Sequence, residues 1–447
     1  MRLLTSTVTL ALLATASPVA AQGWTFDART VGMGGVGGAR NIASKQVEED
    51  RGYHVVVLPI GLIQVLRNTD VFKPDSDQFD LVRAMEYAGS PFHYVAGRDQ
   101  TSDSSRSLSR DIRNGTLSRD LNDYRGLVIA SQPTFEGLAA PNVGGTIKVA
   151  RSADGGYQGV YIGAGPYLAA RGDATVDPRL TALLASETPV TLANATLPID
   201  SGLQGEIALA LTGGYRARLA LPTSSSDRDG VYLAANYNYL RGLHYEDTAI
   251  AVRLDTDGNG LLTINPALPT PFTLGRDHAT SGNGMAIDAG VAVVTGPWEA
   301  GFGATGLGNR ITWTGVQRTT YTLGNLLAGG DIIEGPEVPI ADARVELPVD
   351  YRGNVGYHAT RWSAVADVGR GFQGGSFHGG GEYRFPSVAV RGGGFYTREQ
   401  WQPTAGVGFS LGPKAGLDVA VYGTTGNAAR ERRAALAASL RIGRRPE

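Results

Sequence analysis

From Ser376 to Gly423 the chain alternates between two kinds of residue. In Ser376–Phe385 one set is Phe377, Gly379, Gly381, Tyr383 and Phe385, and the other is Ser376, His378, Gly380, Glu382 and Arg384. In Thr404–Leu411 the sets are Ala405, Val407, Phe409 and Leu411 against Thr404, Gly406, Gly408 and Ser410. In Leu417–Tyr422 they are Leu417, Val419 and Val421 against Asp418, Ala420 and Tyr422. Side chains on a strand point alternately to the two faces of its sheet. One face is therefore apolar, and the other is polar or bare glycine with almost nothing large enough to build a core. A sheet that is greasy outside and wet inside is the wall of a membrane β-barrel.

The start of the chain fits export. Arg2, the mostly apolar run Leu3–Ala16 and the small residues Val19-Ala20-Ala21 read as a secretory signal over 1–21, cut after Ala21. That run is too short to span a bilayer comfortably, and no later segment offers a membrane helix. An exported chain without one is soluble or a barrel. The absence of cysteine removes disulfides, thiolate catalysis, cysteine-held metals and a lipidated cysteine anchor. The formal charge of −2 leaves no nucleic-acid footprint.

The pattern yields an all-β fold: a transmembrane antiparallel up-and-down β-barrel of about fourteen strands, with an N-terminal plug and a small helical insertion. The expected strands are Arg125–Thr134, Val143–Ser152, Tyr157–Ala170, Glu206–Leu221, Val231–Leu240, Ala286–Thr295 and Trp298–Gly306. They continue with Leu347–Ala359, Arg361–Arg370, Ser376–Phe385, Ser387–Tyr396, Thr404–Leu411, Ala415–Gly423 and Arg433–Ile442. Short connections such as Pro386, Gly412–Lys414, Gly296-Pro297 and Ala153–Gly156 alternate with the long Arg171–Gly205, Arg241–Met285 and Leu307–Glu346. Outer-membrane barrels have short periplasmic turns and long external loops. Glu206–Leu221 exceeds the nine to eleven or so residues of a spanning strand and is expected to project beyond the bilayer. Tyr53–Leu66 is strand-like, but Pro59 makes it an edge or broken strand, and counting it would spoil the even number. Ser76–Ala88 is expected to be a helix and Ser105–Asp123 a short helix or loop. The organisation is then a signal at 1–21, a plug at 22–52, a strand-like segment and insertion at 53–124, and a barrel at 125–447.

Few motifs carry chemistry. Gly32-x-Gly34-x-x-Gly37 matches a dinucleotide fingerprint in form, but the strand before it and the helix after it are missing. Asp255, Asp257 and Asn259 resemble half of a calcium loop, with Gly258 and Gly260 among them. Pro266 stands where the bidentate acid belongs, so an external hairpin is the first reading and weak calcium binding the second. His378, Glu382, Arg384, Arg391 and Asp418 gather on the polar face of nearby strands. They read either as ligand-binding groups in the lumen or as ion pairs bracing its wall. Trp298, Trp362 and Trp401 fall near strand ends or in connections, where barrels carry aromatic girdles. The six histidines lack metal spacing and no HExxH or GxSxG occurs, so neither an enzyme nor a cofactor is expected.

Two sets of residues together resemble a known family. The segment Asp27-Ala28-Arg29-Thr30-Val31-Gly32-Met33-Gly34-Gly35-Val36-Gly37 is one. The other is the tail: Gly379-Gly380-Gly381-Glu382-Tyr383-Arg384, Val388-Ala389-Val390-Arg391-Gly392-Gly393, Gly406-Val407-Gly408-Phe409 and Leu417-Asp418-Val419-Ala420-Val421-Tyr422. These resemble the long-chain fatty acid transporter superfamily of outer-membrane barrels, whose relatives include the shuttle barrel of type IX secretion. The resemblance implies fourteen strands, a hatch over Asp27–Ser44, a Gram-negative outer membrane, and porin-like passage of hydrophobic molecules such as fatty acids through the barrel and its side wall. The alternative is a docking barrel for secreted or envelope proteins. Partners implied are outer-membrane lipid, lipopolysaccharide, a hydrophobic ligand and the barrel-assembly machinery. Two features depart from the family: no Asn-Pro step follows the glycines within Ala39–Lys45, and the tail ends on Leu440, Ile442 and Arg444-Arg445-Pro446-Glu447 without a final aromatic.

Overall fold

A computed structural model describes residues 21–22, 27–35, 41–49, 53–73, 76–88, 92–99, 102–114, 116–132, 134–139, 143–221, 228–263, 272–323, 332–371, 374–397, 400–412, 414–425 and 431–443. Residues 1–20 of the expected signal lie outside these, as do 23–26, 36–40 and 50–52 of the expected plug.

Among the described residues, fourteen strands make up the wall. They are β1 (Tyr53–Leu58), β2 (Thr134–Ala139 with Val143–Arg151), β3 (Tyr157–Val176), β4 (Thr196–Ala220), β5 (Gly230–Thr256), β6 (Gly282–Thr295) and β7 (Trp298–Trp313). The rest are β8 (Asp350–His358), β9 (Trp362–Gly371), β10 (Gly374–Arg384), β11 (Val388–Thr397), β12 (Gln400–Gly412), β13 (Ala415–Thr424) and β14 (Arg433–Gly443). From β2 to β14 each strand is antiparallel to the next, and β14 pairs with β1. Among the described residues no ladder joins β1 to β2.

The even count survives with a different membership. Tyr53–Leu58 belongs to the wall, because Tyr53 to Leu58 run opposite Gly443 to Ala438. Residues 125–132 are not strand, and Leu127 is instead buried among the apolar residues of the external cap. Pro59 ends β1 by removing a ladder donor. The chain then leaves the wall, and Tyr94-Val95 later resumes the same position against Leu436 and Ala435. The first wall strand is thus interrupted. The excursion carries α3 (Gly61–Arg67) and α4 (Leu81–Ala88). The expected helix over Ser76–Ala88 starts only at Leu81.

The apolar face of the alternation points outward. Phe377, Tyr383, Phe385, Val390, Phe409, Leu411 and Val421 are exposed, while Glu382, Arg391, Gly406, Gly408 and Asp418 are buried. Aromatics mark both edges of this belt. At the short-turn end Trp298 meets Tyr357 edge-on at 4.8 Å and Tyr357 stacks on Trp362 at 4.9 Å, and Phe377, Tyr396 and Trp401 meet at the other. Phe377 and Phe385 are eight residues apart on one strand, or about 27 Å. At a strand tilt of about 40° that is about 20 Å of height, which fits within an apolar band about 25 Å tall.

Beyond the belt, β3, β4 and β5 continue for several residues as a collar. Much of the expected long loops is therefore strand. Outside the barrel, α5 (Asp103–Asn114) leads into a short turn of helix at Leu121–Tyr124, and α6 (Pro178–Ala185) packs beside it. Leu121, Tyr124, Leu127, Leu180, Leu183 and Leu262 form the core of this cap. Asp177 starts α6 by accepting from the Arg179 amide at 2.8 Å, the usual N-cap role.

Candidate functional site

The lumen is where sequence and structure meet. Two short helices of the plug sit in it: α1 (Ala28–Gly32) against β11 to β14, and α2 (Ile42–Glu49) against β5, β6 and β7. Asp27 caps α1 by accepting from the amides of Arg29 (3.1 Å) and Thr30 (3.2 Å). It also accepts from the Thr30 hydroxyl at 2.7 Å and, on the wall, from the Ser439 hydroxyl at 2.8 Å.

Glycines make the seat. A Cβ on Gly34 would lie 2.4 Å from the Gly379 carbonyl oxygen and 2.6 Å from that of Gly394. One on Gly380 would lie 2.4 Å from the Met33 oxygen, and one on Gly393 would lie 2.8 Å from the Gly34 nitrogen. Gly34 also has φ +80°, a left-handed value that disfavours side chains. Plug backbone therefore rests on wall backbone. Thr404 pins the contact, accepting from the Gly34 amide (2.9 Å) and donating to the Gly32 carbonyl (3.2 Å). The apparent dinucleotide motif is this seat. Gly37, its third glycine, lies outside the described residues.

The five predicted lumen residues converge on the same place. Arg29 donates to Glu382 from Nε at 3.1 Å and from Nη2 at 3.2 Å. Arg391 reaches Glu382 at 2.6 Å and pairs with Asp418 at 2.8 Å. Arg384 lies 3.6 Å from Glu382 and donates to the Ala359 carbonyl. His378 Nδ1 is 2.8 Å from the Gly34 carbonyl oxygen. Gly408 leaves room for the ion pair, since a Cβ there would stand 2.4 Å from Asp418 Oδ1. These residues bind one another and the plug. Arg29 was the missing member, and Asp27-Ala28-Arg29 with the facing carboxylate was the signal that could have found it.

The second plug helix has its own polar contacts. Asn41 Nδ2 and the Ser44 hydroxyl both donate to Asn354 Oδ1, each at 3.1 Å. Gln46 donates to the Tyr157 hydroxyl at 2.7 Å. Val47 and Ala43 meet Tyr232, Ala234, Ala292 and Val294. Nearer the outer mouth the lumen turns apolar. Leu240, Tyr245, Ile311, Val316 and Val345 surround Trp313, which is fully buried and stacked on Tyr245 at 5.5 Å. Gly242 and Gly282 give the indole its slot, since a Cβ on either would lie 2.6 to 2.8 Å from the ring.

The hairpin, the first reading of Asp255–Gly260, is what the contacts build. Asp257 Oδ1 accepts from the amides of Asn259 (2.8 Å) and Leu261 (3.0 Å), and the Asp255 carboxylate takes the Thr196 hydroxyl. Both carboxylates thus already accept hydrogen bonds from protein groups. Asp255 pairs with Thr263 and Thr256 with Leu262, which is the external hairpin. Among the described residues no group of three or more histidine or acidic side chains could hold a metal ion.

A fourteen-strand antiparallel wall, apolar outside and polar within, with its own N-terminal segment seated in the lumen, defines a plugged transmembrane β-barrel of the outer-membrane type. Among solved structures the chain is similar to the toluene transporter TbuX of Ralstonia pickettii, at 14% identity over 76% of this chain and 98% of that one, with a TM-score of 0.33. It is similar to the toluene transporter TodX of Pseudomonas putida, at 11% identity over 71% and 87%, with a TM-score of 0.26. A Rhodopseudomonas blastica porin variant matches at 12% identity over 56% and 98%, with a TM-score of 0.20. Likeness this loose bears on neither substrate nor residue roles. No family profile and no curated protein matches the chain.

Proposed function

We propose that this chain resides in the outer membrane of a Gram-negative bacterium and lets hydrophobic small molecules, fatty acids among them, pass by guided diffusion. The observation that carries this reading is the apolar throat. Trp313, Tyr245, Ile311, Leu240 and Val345 pack together inside the lumen near its outer mouth, almost wholly buried, with Glu206 accepting from the Trp313 indole at 3.4 Å, where the constriction of an ion or sugar channel would be polar throughout. Below it, the plug is held by hydrogen bonds, ion pairs and glycine contacts. The interrupted first strand, and a β2 edge that among the described residues pairs with Ala21–Gln22 at Leu138 and Ala139 instead of with β1, support a lateral way out into the bilayer.

The test is uptake of radiolabelled toluene and of dodecanoate by cells displaying the folded barrel, against cells lacking it. Faster entry of either supports the reading, and the two probes separate hydrocarbon from fatty acid. No gain for both, with the barrel present at the surface, overturns it. A second reading, a docking barrel for secreted proteins, draws on the ordered cap around Leu121, Tyr124 and Leu183. It is favoured if removing the cap abolishes partner capture and leaves uptake unchanged.

A further inference from the structure

We infer that the outer wall carries a binding site for the phosphates of an outer-leaflet glycolipid, built from Arg241, Arg310 and Arg344. The site rests on the barrel being embedded in a bilayer. Registered neighbours in a sheet share a face. One row across the wall reads Arg241, Asn283, Thr312 and Arg344. The row below it reads Tyr239, Met285, Arg310 and Glu346. The alternate residues Leu240, Gly242, Ile311 and Trp313 are buried in the lumen, so both rows look outward.

Height favours a lipid headgroup. Beneath the rows lie the exposed apolar residues Tyr237, Ile287, Val291 and Phe302. Arg310 is twelve residues up its strand from Trp298 of the lower aromatic girdle, but two bulges reduce this to the ten-residue span Met285–Thr295 on the paired strand, about 33 Å along a tilted strand. The arginines therefore stand at the upper margin of the belt, at the level of outer-leaflet headgroups.

Charge favours phosphate. Three guanidinium groups face one carboxylate, Glu346, which Arg344 engages. Arg310 has no ion-pair partner among the described residues. Arg241 donates to Asn283 Oδ1 at 3.0 Å, beside the Tyr239 hydroxyl at 2.8 Å, which aims the guanidinium along the surface. Arg241 and Arg344 are three strand spacings apart, about 14 Å. That span suits two separated phosphates better than one. Arginine offers paired donors to phosphate oxygens, and apolar wall just below would receive the acyl chains.

The test uses the full chain, refolded in detergent, with bisphosphorylated lipid A and its dephosphorylated form as probes, read by native mass spectrometry. Wild type should retain the phosphorylated lipid alone. The R241Q/R310Q/R344Q variant should retain less, by about fivefold for each arginine, or about 1 kcal/mol apiece. Heat-modifiable mobility shows that the variant is folded. Equal retention by the variant, equal retention of the dephosphorylated lipid, or full displacement by inorganic phosphate would each overturn the site. Extraction of the wild-type protein from vesicles by carbonate would instead overturn the embedding on which it rests.

Discussion

Arg29 and Glu382, 353 residues apart, form a two-pronged contact between plug and wall, 3.1 Å at Nε and 3.2 Å at Nη2. Glu382 also serves Arg391, and Arg391 serves Asp418, so the plug's charge extends an ion chain already present in the wall. Removing one member of a buried pair is costly because the other is left uncompensated, about 3 to 5 kcal/mol.

Arg29→Ala should therefore loosen α1 while β10 to β13 stay intact. Hydrogen exchange at the amides of Val31, Met33 and Gly34 would accelerate by a hundredfold or more, about 3 kcal/mol. Wall amides of β11 would keep their protection. Unchanged exchange in the plug would mean that the glycine seat alone holds it.

The seat itself makes a sharper prediction, because two adjacent glycines should behave oppositely. Gly393 faces the plug, with the Gly34 nitrogen 2.8 Å from its would-be Cβ, while Gly392 faces open space. Gly393→Ala should unseat the plug and raise the conductance of the barrel in planar bilayers. Gly392→Ala should leave conductance at the wild-type level. Equal behaviour of the two variants would show that close backbone packing does not decide the seating.

This pair also shows what the sequence could and could not say. The two-residue period placed Phe377 outside and Glu382 inside correctly, since period is a local property. It could not show that the inward glycines are bare because another stretch of backbone, around Gly34, lies on them. Wall membership was equally non-local. Pro59 and the even count set Tyr53–Leu66 apart while Arg125–Thr134 read as a strand, and only the pairing of Tyr53–Leu58 with residues 438–443 reverses the two. The calcium-like spacing was legible as a hairpin first, and Asp257 does spend its carboxylate on its own turn, the commoner use of aspartate in a hairpin.

Trp313 should set the width of the throat. Its slot between Gly242 and Gly282 leaves no room for a larger neighbour. Trp313→Ala would remove most of a buried indole, at a local cost of about 3 to 5 kcal/mol. Uptake of bulky hydrophobic probes should rise relative to small ones. A uniform change across probe sizes would place the constriction elsewhere.

The cap offers a pH test outside the membrane. The Tyr124 hydroxyl donates to Asp111 at 2.9 Å and accepts from the Ser118 amide at 2.8 Å, and its ring is buried. Burial, chiefly, pushes its ionisation up to about 12, with the Asp111 carboxylate adding to the rise against the Ser118 amide. A group whose folded value is raised favours the folded state fully below its unfolded value, about 10 for tyrosine. The contribution is lost as pH climbs through about 12. The cap around Leu121 and Leu183 should therefore loosen between about pH 10 and 12, before the wall does. Tyr124→Phe should weaken the cap by about 1 to 3 kcal/mol at neutral pH, from the two lost hydrogen bonds, and flatten that alkaline transition. Limited proteolysis at 102–132 across pH reads both effects, and an identical alkaline profile in the variant would exclude Tyr124 as their source.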